Sequence, residues 1–424
     1  MKFAFITPRY GAEISSGPEH ACRLLAEEVA QRHDVDVITT CARDASTWAN
    51  DCAEGPDKVR GVVVRRFAVS QPHDAAAFTA LSLRLQTEPP ARAAELEWVR
   101  LRGPWSPGLM EHLKRQHRTY DALVFFSLQH ATTVHGLDIA PERSVLFPYA
   151  QLVPSLRFGL WAELLRAPRG IGLFSETERR LIHQYIHATP AHEELVGIGV
   201  NPMPQQTYPR HQQNPADVVV PDGETAAEPV EEDDDPGYLA GRGVPFRRRH
   251  RLYGPIALYG GRVEPDNGCE EMLDYFDAYH AGDEEASLVL MGVKMMTVPA
   301  EPYLRFAGVL PDRERMTAYE AATVTIAPAS DDLLAQPLLE SLAVGTPVLA
   351  SARGESAAEH LRRANAGLYY ANRDEFVEAM RLLVTDNRLR ERLGENGRQY
   401  MQQHYQWDAV LGRFERLVMK ARRN

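Results

Sequence analysis

The chain has 424 residues, 44% apolar and 25% charged, with a formal net charge of −11; these are the proportions of an ordinary globular protein, and the length exceeds what one hydrophobic core fills, so two domains are expected. Much of the negative charge lies in one run, Glu228, Glu231, Glu232, Asp233, Asp234 and Asp235, and the mildly acidic remainder gives no nucleic-acid footprint. No stretch approaches the roughly eighteen apolar residues of a membrane span, and Cys22, Cys41, Cys52 and Cys269 lack the spacing of a zinc site or a disulfide framework.

The start, MKFAFITPRY, reads as a short strand over Lys2–Thr7 without the apolar core of a secretory signal, so a cytoplasmic protein is expected. An amphipathic helix follows over Pro18–His33, then strands at Val35–Thr40 and Gly61–Phe67 and a helical pattern over much of Ala75–Gln116. Ala122–Ser127, Ser144–Pro148 and Gly170–Phe174 are apolar runs suited to a buried parallel sheet, and Ser175 to Glu178 caps a helix reaching about His187. Glu194–Val200 reads as the last strand of a first domain, 1–200. Residues 201–250 are rich in Pro, Gln and acids, with few large apolar side chains, and are expected to be a flexible linker or insertion. Its basic end, Phe246 to Arg251, reads as a solvated linker end, or as a patch for peripheral association with a membrane face. A second domain, 251–400, is expected to hold strands near 256–260, 287–291, 304–306, 323–327, 347–350 and 367–369, with a helix at Cys269–Tyr279, and 401–424 to form a C-terminal helix packing back on the first domain. Alternating strands and helices in both halves predict an α/β fold with parallel sheets covered on both faces.

Two segments of the second half carry chemistry. Residues 324–351 read VTIAPASDDLLAQPLLESLAVGTPVLAS, a strand, a polar loop, a helix and another strand. A helix N-terminus at such a point favours an anion such as a diphosphate beyond the carboxyl ends of the strands. Asp332 and Glu340 stand about two helical turns apart, a spacing that lets both carboxylates face one crevice. Residues 256–268 read IALYGGRVEPDNG, a strand running into a glycine turn.

In this order, followed by Gly367–Tyr370 and Asp374 to Phe376, the segments resemble the donor site of retaining GT-B glycosyltransferases, family 4 in particular. The resemblance implies two Rossmann-like domains facing each other across a cleft. It also implies a nucleotide-diphosphate sugar as donor substrate, no cofactor and no metal, and a saccharide, lipid-linked or small-molecule acceptor. Arg262 matches the family's diphosphate-binding arginine, Glu340 the acid that holds the ribose, and Asp332 stands where a glutamate contacts the sugar. Asn267 replaces the second diphosphate-binding cation, a lysine. Lys294, after the next strand, either substitutes for it or is a surface lysine.

The loop PRYGAEISSGPEH (residues 8–20) resembles the family's glycine-rich loop, with Ser15 and Ser16 in glycine places and Gly17 retained. Gln151 stands where relatives carry a histidine. Glu19 and His20 lie beside the loop, either in the site or as helix caps, and Trp48, Trp105 and Tyr149 either stack on a sugar or pack. The implied donor-binding set is therefore Gly17, Gly261, Arg262, Asn267, Lys294, Asp332 and Glu340, with Arg262 and Asp332 acting in catalysis. Four departures from the family pattern leave a second reading open, a GT-B protein with impaired catalysis that serves as a partner or regulatory subunit.

Overall fold

The computed structural model describes residues 1–14, 17–87, 90–187, 190–201, 243–282, 285–329 and 332–422. Most of the acidic linker lies outside the described residues, as do Ser15 and Ser16. The first sheet contains β1 (Lys2–Ile6), β2 (Asp34–Thr40), β3 (Gly55–Val59), β4 (Val62–Phe67), β5 (Ala122–Phe126), β6 (Ser144–Phe147), β7 (Gly170–Leu173) and β8 (Glu193–Leu195). They run in the order β3-β4-β2-β1-β5-β6-β7-β8. All neighbours are parallel except β3 and β4. That hairpin is absent from the sequence reading because β3, GPDKV, is mostly exposed and has no apolar alternation. Arg60 and Gly61 make its turn at φ 45° and 90°, the left-handed pair that matches strand twist.

The second sheet contains β9 (Ile256–Gly260), β10 (Ser287–Met291), β11 (Leu304–Gly308), β12 (Val324–Ala327), β13 (Val348–Ser351) and β14 (Gly367–Tyr370), all parallel, in the order β11-β10-β9-β12-β13-β14. Each sheet lies between two apolar layers. Phe3 and Phe5 face one layer of the first domain while Ala4 and Ile6 face the other, and Ile256 and Leu258 alternate with Ala257 and Tyr259 in the same way. Strand order reverses at β1/β5 and at β9/β12, the two places where a doubly wound sheet opens a crevice at its carboxyl edge.

Between Ala75 and Gln116 the chain forms three helices, Ala75–Thr87, Arg92–Arg102 and Pro107–Gln116. Gly103-Pro104 interrupts the pattern, and Ser106 caps the third helix by accepting from the Leu109 N–H at 3.4 Å.

The basic cluster at 246–251 departs from its sequence reading. Val244–His250 is a helix whose Phe246 joins the second domain's core with Leu252, Ile256 and Tyr319. Its Arg247 is buried and donates to the Ala321 and Gly254 carbonyls. Its Phe246 therefore faces inward.

The helix Trp407–Arg422 lies on the first sheet, with Phe414 against Phe3, Phe5 and Phe147 at 5.6, 6.0 and 6.4 Å between ring centroids. Gly170 permits the approach, since a Cβ there would stand 2.9 Å from Leu417. Among the described residues no helix is long and apolar enough to cross a membrane.

Candidate functional site

The loop after β9 is built by close backbone contact. Gly261 (φ 144°) and Gly292 (φ 130°) pass so near that a Cβ on Gly292 would lie 1.9 Å from the Gly261 carbonyl oxygen, a meeting only glycine permits. Gly268, at φ 70°, similarly lets the start of the helix Cys269–His280 approach Ala329 in the loop after β12; a Cβ would be 3.0 Å from the Ala329 oxygen. The two loops at the β9/β12 switch point are thereby held against each other.

On this scaffold Arg262 is exposed and pairs with Glu264 at 2.7 Å. Asn267 donates from Nδ2 to the Arg262 carbonyl and to Glu264 Oε1, both at 3.0 Å. Its amide thus fastens the Arg262–Glu264 turn. Lys294 lies beside Val263 through its backbone, but its ammonium sits over the Phe306 ring at 5.9 Å, so the three side chains do not converge on one point.

Asp332 and Glu340 have different neighbours. Asp332 Oδ1 accepts from the Leu334 N–H at 3.1 Å. Desolvation pushes its carboxyl up, while that N–H, the Arg262 charge and the Tyr149 hydroxyl pull it down. Tyr149 belongs to the first domain and stands at φ 53°, a strained position for a tyrosine. Burial and the charges of Asp332, Glu178 and Glu19 hold its phenol far above the ordinary value. The charges of Arg262 and Asp332 in the second domain therefore act on Tyr149 of the first.

Glu340 is buried one helical turn inside the helix Gln336–Val344. It accepts from Arg315 Nε and Nη2, both at 2.9 Å, and from Gln336 Nε2 at 3.0 Å. Gln336 in turn places its Oε1 2.8 Å from His20 Nε2 of the first domain. Burial pushes His20 down to about 4, so it is neutral near pH 7. From there Arg23 (3.1 Å), Glu27 (3.0 Å), Arg60 (4.0 Å), Asp312 (3.7 Å) and Arg315 (2.9 Å) return to Glu340. The result is a closed ring of eight side chains joining the two domains.

In the first domain Gly17, at φ 77°, opens the helix Gly17–Val29. Glu19 is buried and pairs with Arg9 at 3.0 Å. The loop after β6, which carries Tyr149 and Gln151, is clamped by Glu178, whose carboxylate accepts from the Ala150 N–H at 3.0 Å and the Phe174 N–H at 2.7 Å. Burial pushes Glu178 up to about 7 against those donors. Trp48 is buried and donates to the Arg102 carbonyl at 2.8 Å, and Trp105 stands edge-on to His135; both pack within the first domain.

Sequence reasoning missed Arg315, Gln336 and the clamp by Glu178. Arg315 lies 25 residues before its partner, outside any local spacing. Glu178 had a local signal, since Ser175 caps its N–H at 3.1 Å, but its side chain leaves the capping position for the neighbouring loop. Among the described residues no group of three or more His, Cys, Asp or Glu side chains is arranged to hold a metal ion.

Residues 245–400 match the family model described as glycosyl transferases group 1, the segment that contains Arg262, Asp332 and Glu340. Solved structures of the same shape include a sucrose-phosphate synthase from Thermosynechococcus elongatus, at 16% identity over 99% of each chain with a TM-score of 0.64. HepE from Anabaena, in complex with UDP and glucose, aligns at 13% identity over 99% of each chain with a TM-score of 0.65. An α,α-trehalose-phosphate synthase (UDP-forming) from Burkholderia vietnamiensis aligns at 12% identity over 99% of this chain and 100% of that one, with a TM-score of 0.64. These likenesses establish the GT-B fold, and the segment 245–400 is similar to glycosyl transferases group 1.

Proposed function

We propose that the protein is a retaining glycosyltransferase that moves a sugar from a nucleotide diphosphate to an acceptor hydroxyl in the cytoplasm, with no cofactor. The observation that carries this reading is that Arg262, Asp332 and Glu340 lie at the β9/β12 switch point, inside the segment that matches the glycosyltransferase model, with Glu340 tied through Gln336 to His20 of the facing domain. In such a transfer the acceptor oxygen bonds to the anomeric carbon as the bond to the diphosphate oxygen breaks, and the hydroxyl proton passes to the released diphosphate. Negative charge grows on that diphosphate, so fixed donors aimed at it lower the barrier. Arg262 supplies a forked cation, and the start of the helix Gln336–Val344 supplies N–H groups. Asp332 orients the sugar hydroxyls, Glu340 takes the ribose in exchange for part of its bond to Arg315, and Gly17 and Gly261 leave room for the donor.

Specific observations keep the second reading, an impaired GT-B protein acting as a partner subunit. The Asn267 amide donates within its own loop, and the Glu340 carboxylate already accepts three hydrogen bonds. Turnover of a panel of nucleotide sugars by the purified protein decides between them. Donor consumption with retained anomeric configuration is the expected result; inversion removes the retaining assignment, and no consumption with any donor and acceptor favours the partner subunit.

A further inference from the structure

Beside the donor-facing loops the two domains leave a cavity of about 540 Å³. The first domain lines it with Leu152, Arg180 and Tyr185, and the second with Glu355, Arg362 and Tyr369. Leu152, Tyr185 and Tyr369 are 56%, 41% and 38% exposed; three large side chains open to water around one hollow are a surface suited to an apolar ligand. Arg180 stands 3.7 Å from Glu355 and donates to Thr177 Oγ1 at 3.0 Å. Arg362 has no carboxylate within pairing distance among the described residues; its Nε donates only to the Ala358 carbonyl of its own helix, at 3.3 Å. The polar lining therefore carries one more positive than negative charge, next to the Tyr369 ring.

The cavity adjoins the proposed donor site on both sides. Leu152 follows Gln151 on the loop that presents Tyr149 to Asp332. On the other wall, Gly354 precedes Glu355, and a Cβ on it would stand 3.5 Å from the Pro328 carbonyl oxygen and 3.8 Å from Ala329 Cα of the loop after β12. The walls are fixed to each other: Glu359 reaches across and accepts from the Thr177 N–H at 2.8 Å, its hydroxyl at 3.0 Å and the Glu176 N–H at 3.3 Å. A ligand therefore meets a preformed shape.

We infer that this cavity receives the acceptor of the transfer, and that the acceptor is an amphiphile with an acidic head: an apolar body lies against Leu152, Tyr185 and Tyr369, and a phosphate or carboxylate pairs with Arg362. The inference rests on the transferase reading, because it is the neighbouring donor that makes a molecule in this cavity an acceptor. A neutral sugar acceptor would leave the unpaired guanidinium and the three exposed side chains unused.

The test titrates n-octyl phosphate, n-octyl glucoside and inorganic phosphate into the full chain by calorimetry. Wild type should bind octyl phosphate at least tenfold more tightly than either of the others, and the affinity should persist at saturating uridine diphosphate. Arg362→Ala should weaken octyl phosphate about tenfold and leave octyl glucoside unchanged, Tyr369→Ala should weaken both, and neither should alter uridine diphosphate binding. Equal affinity for the two octyl compounds, inorganic phosphate binding as tightly as octyl phosphate, displacement by the nucleotide, or an unaffected Arg362→Ala would each overturn the inference. A wild type that takes octyl phosphate but none of the uridine, guanosine, adenosine and thymidine diphosphates keeps the cavity as a binding site and removes the transferase reading instead.

Discussion

Glu340 has three hydrogen bonds before any ligand arrives, two from Arg315 and one from Gln336. Because it is buried, taking away the cation leaves a carboxylate with neither water nor counter-charge, the costly way to break an ion pair. Arg315→Met should therefore lose about 2 to 3 kcal/mol in urea unfolding, whereas Glu340→Gln, which keeps a polar group of the same shape, should lose about 1 kcal/mol. Glu340→Gln should also weaken uridine diphosphate by about 1 to 3 kcal/mol, the range of a charge-assisted hydrogen bond; equal affinity by calorimetry would take Glu340 out of the site. At Asn267 the expected change has the opposite sign. A lysine there would share Glu264 with Arg262 and release part of the guanidinium toward the cleft. Asn267→Lys should tighten uridine diphosphate severalfold, with a steeper dependence on salt.

At the scale of elements, the loop after β6 depends on one side chain from the start of the next helix. Glu178 holds the Ala150 and Phe174 N–H groups together, and its carboxyl is pushed up to about 7 from an ordinary 4.5. A carboxyl raised in the folded state keeps its proton longer there than in the unfolded chain. Its contribution to stability is full below about pH 4.5, declines as pH rises, and is gone above about 7, a fall of roughly 3 kcal/mol. His20 and His360, depressed to about 4 and about 3, slope the other way. The measurement is therefore the difference in unfolding free energy between wild type and Glu178→Gln across that range; a difference independent of pH would mean that Glu178 does not titrate there. The strands were legible in the sequence because parallel strands buried on both faces leave continuous apolar runs, as in Ala122–Phe126 and Ser287–Met291. The exposed strand β3 left no such run. Likewise the resemblance to the family pattern singled out Arg262, Asp332 and Glu340 and offered His20 and Tyr149 only as alternatives to capping and packing, whereas Arg315 reaches Glu340 only through the fold, from a position that no local pattern connects to it.

At the scale of the molecule, the domains are joined by the eight-membered ring, by the Glu359 cap on Thr177, and by Leu333 and Leu334, which pack into the first domain's core. Arg60 and Asp312 close the ring at 3.7 Å with Asp312 largely exposed, an arm worth at most about 1 kcal/mol; the buried arm through His20, Gln336 and Glu340 is the stronger tie. The acidic stretch offers little apolar surface for either core, so replacing residues 203–237 with a short Gly/Ser linker should leave the melting temperature nearly unchanged. A drop of roughly ten degrees or more would mean that it docks. The helix Trp407–Arg422 sets an order of events. Its Phe414 covers Phe3, Phe5 and Phe147, yet a ribosome makes it only after the whole second domain. During synthesis the first sheet must wait with an aromatic face bare while some two hundred further residues emerge, so in the growing chain this face is the one most exposed to aggregation.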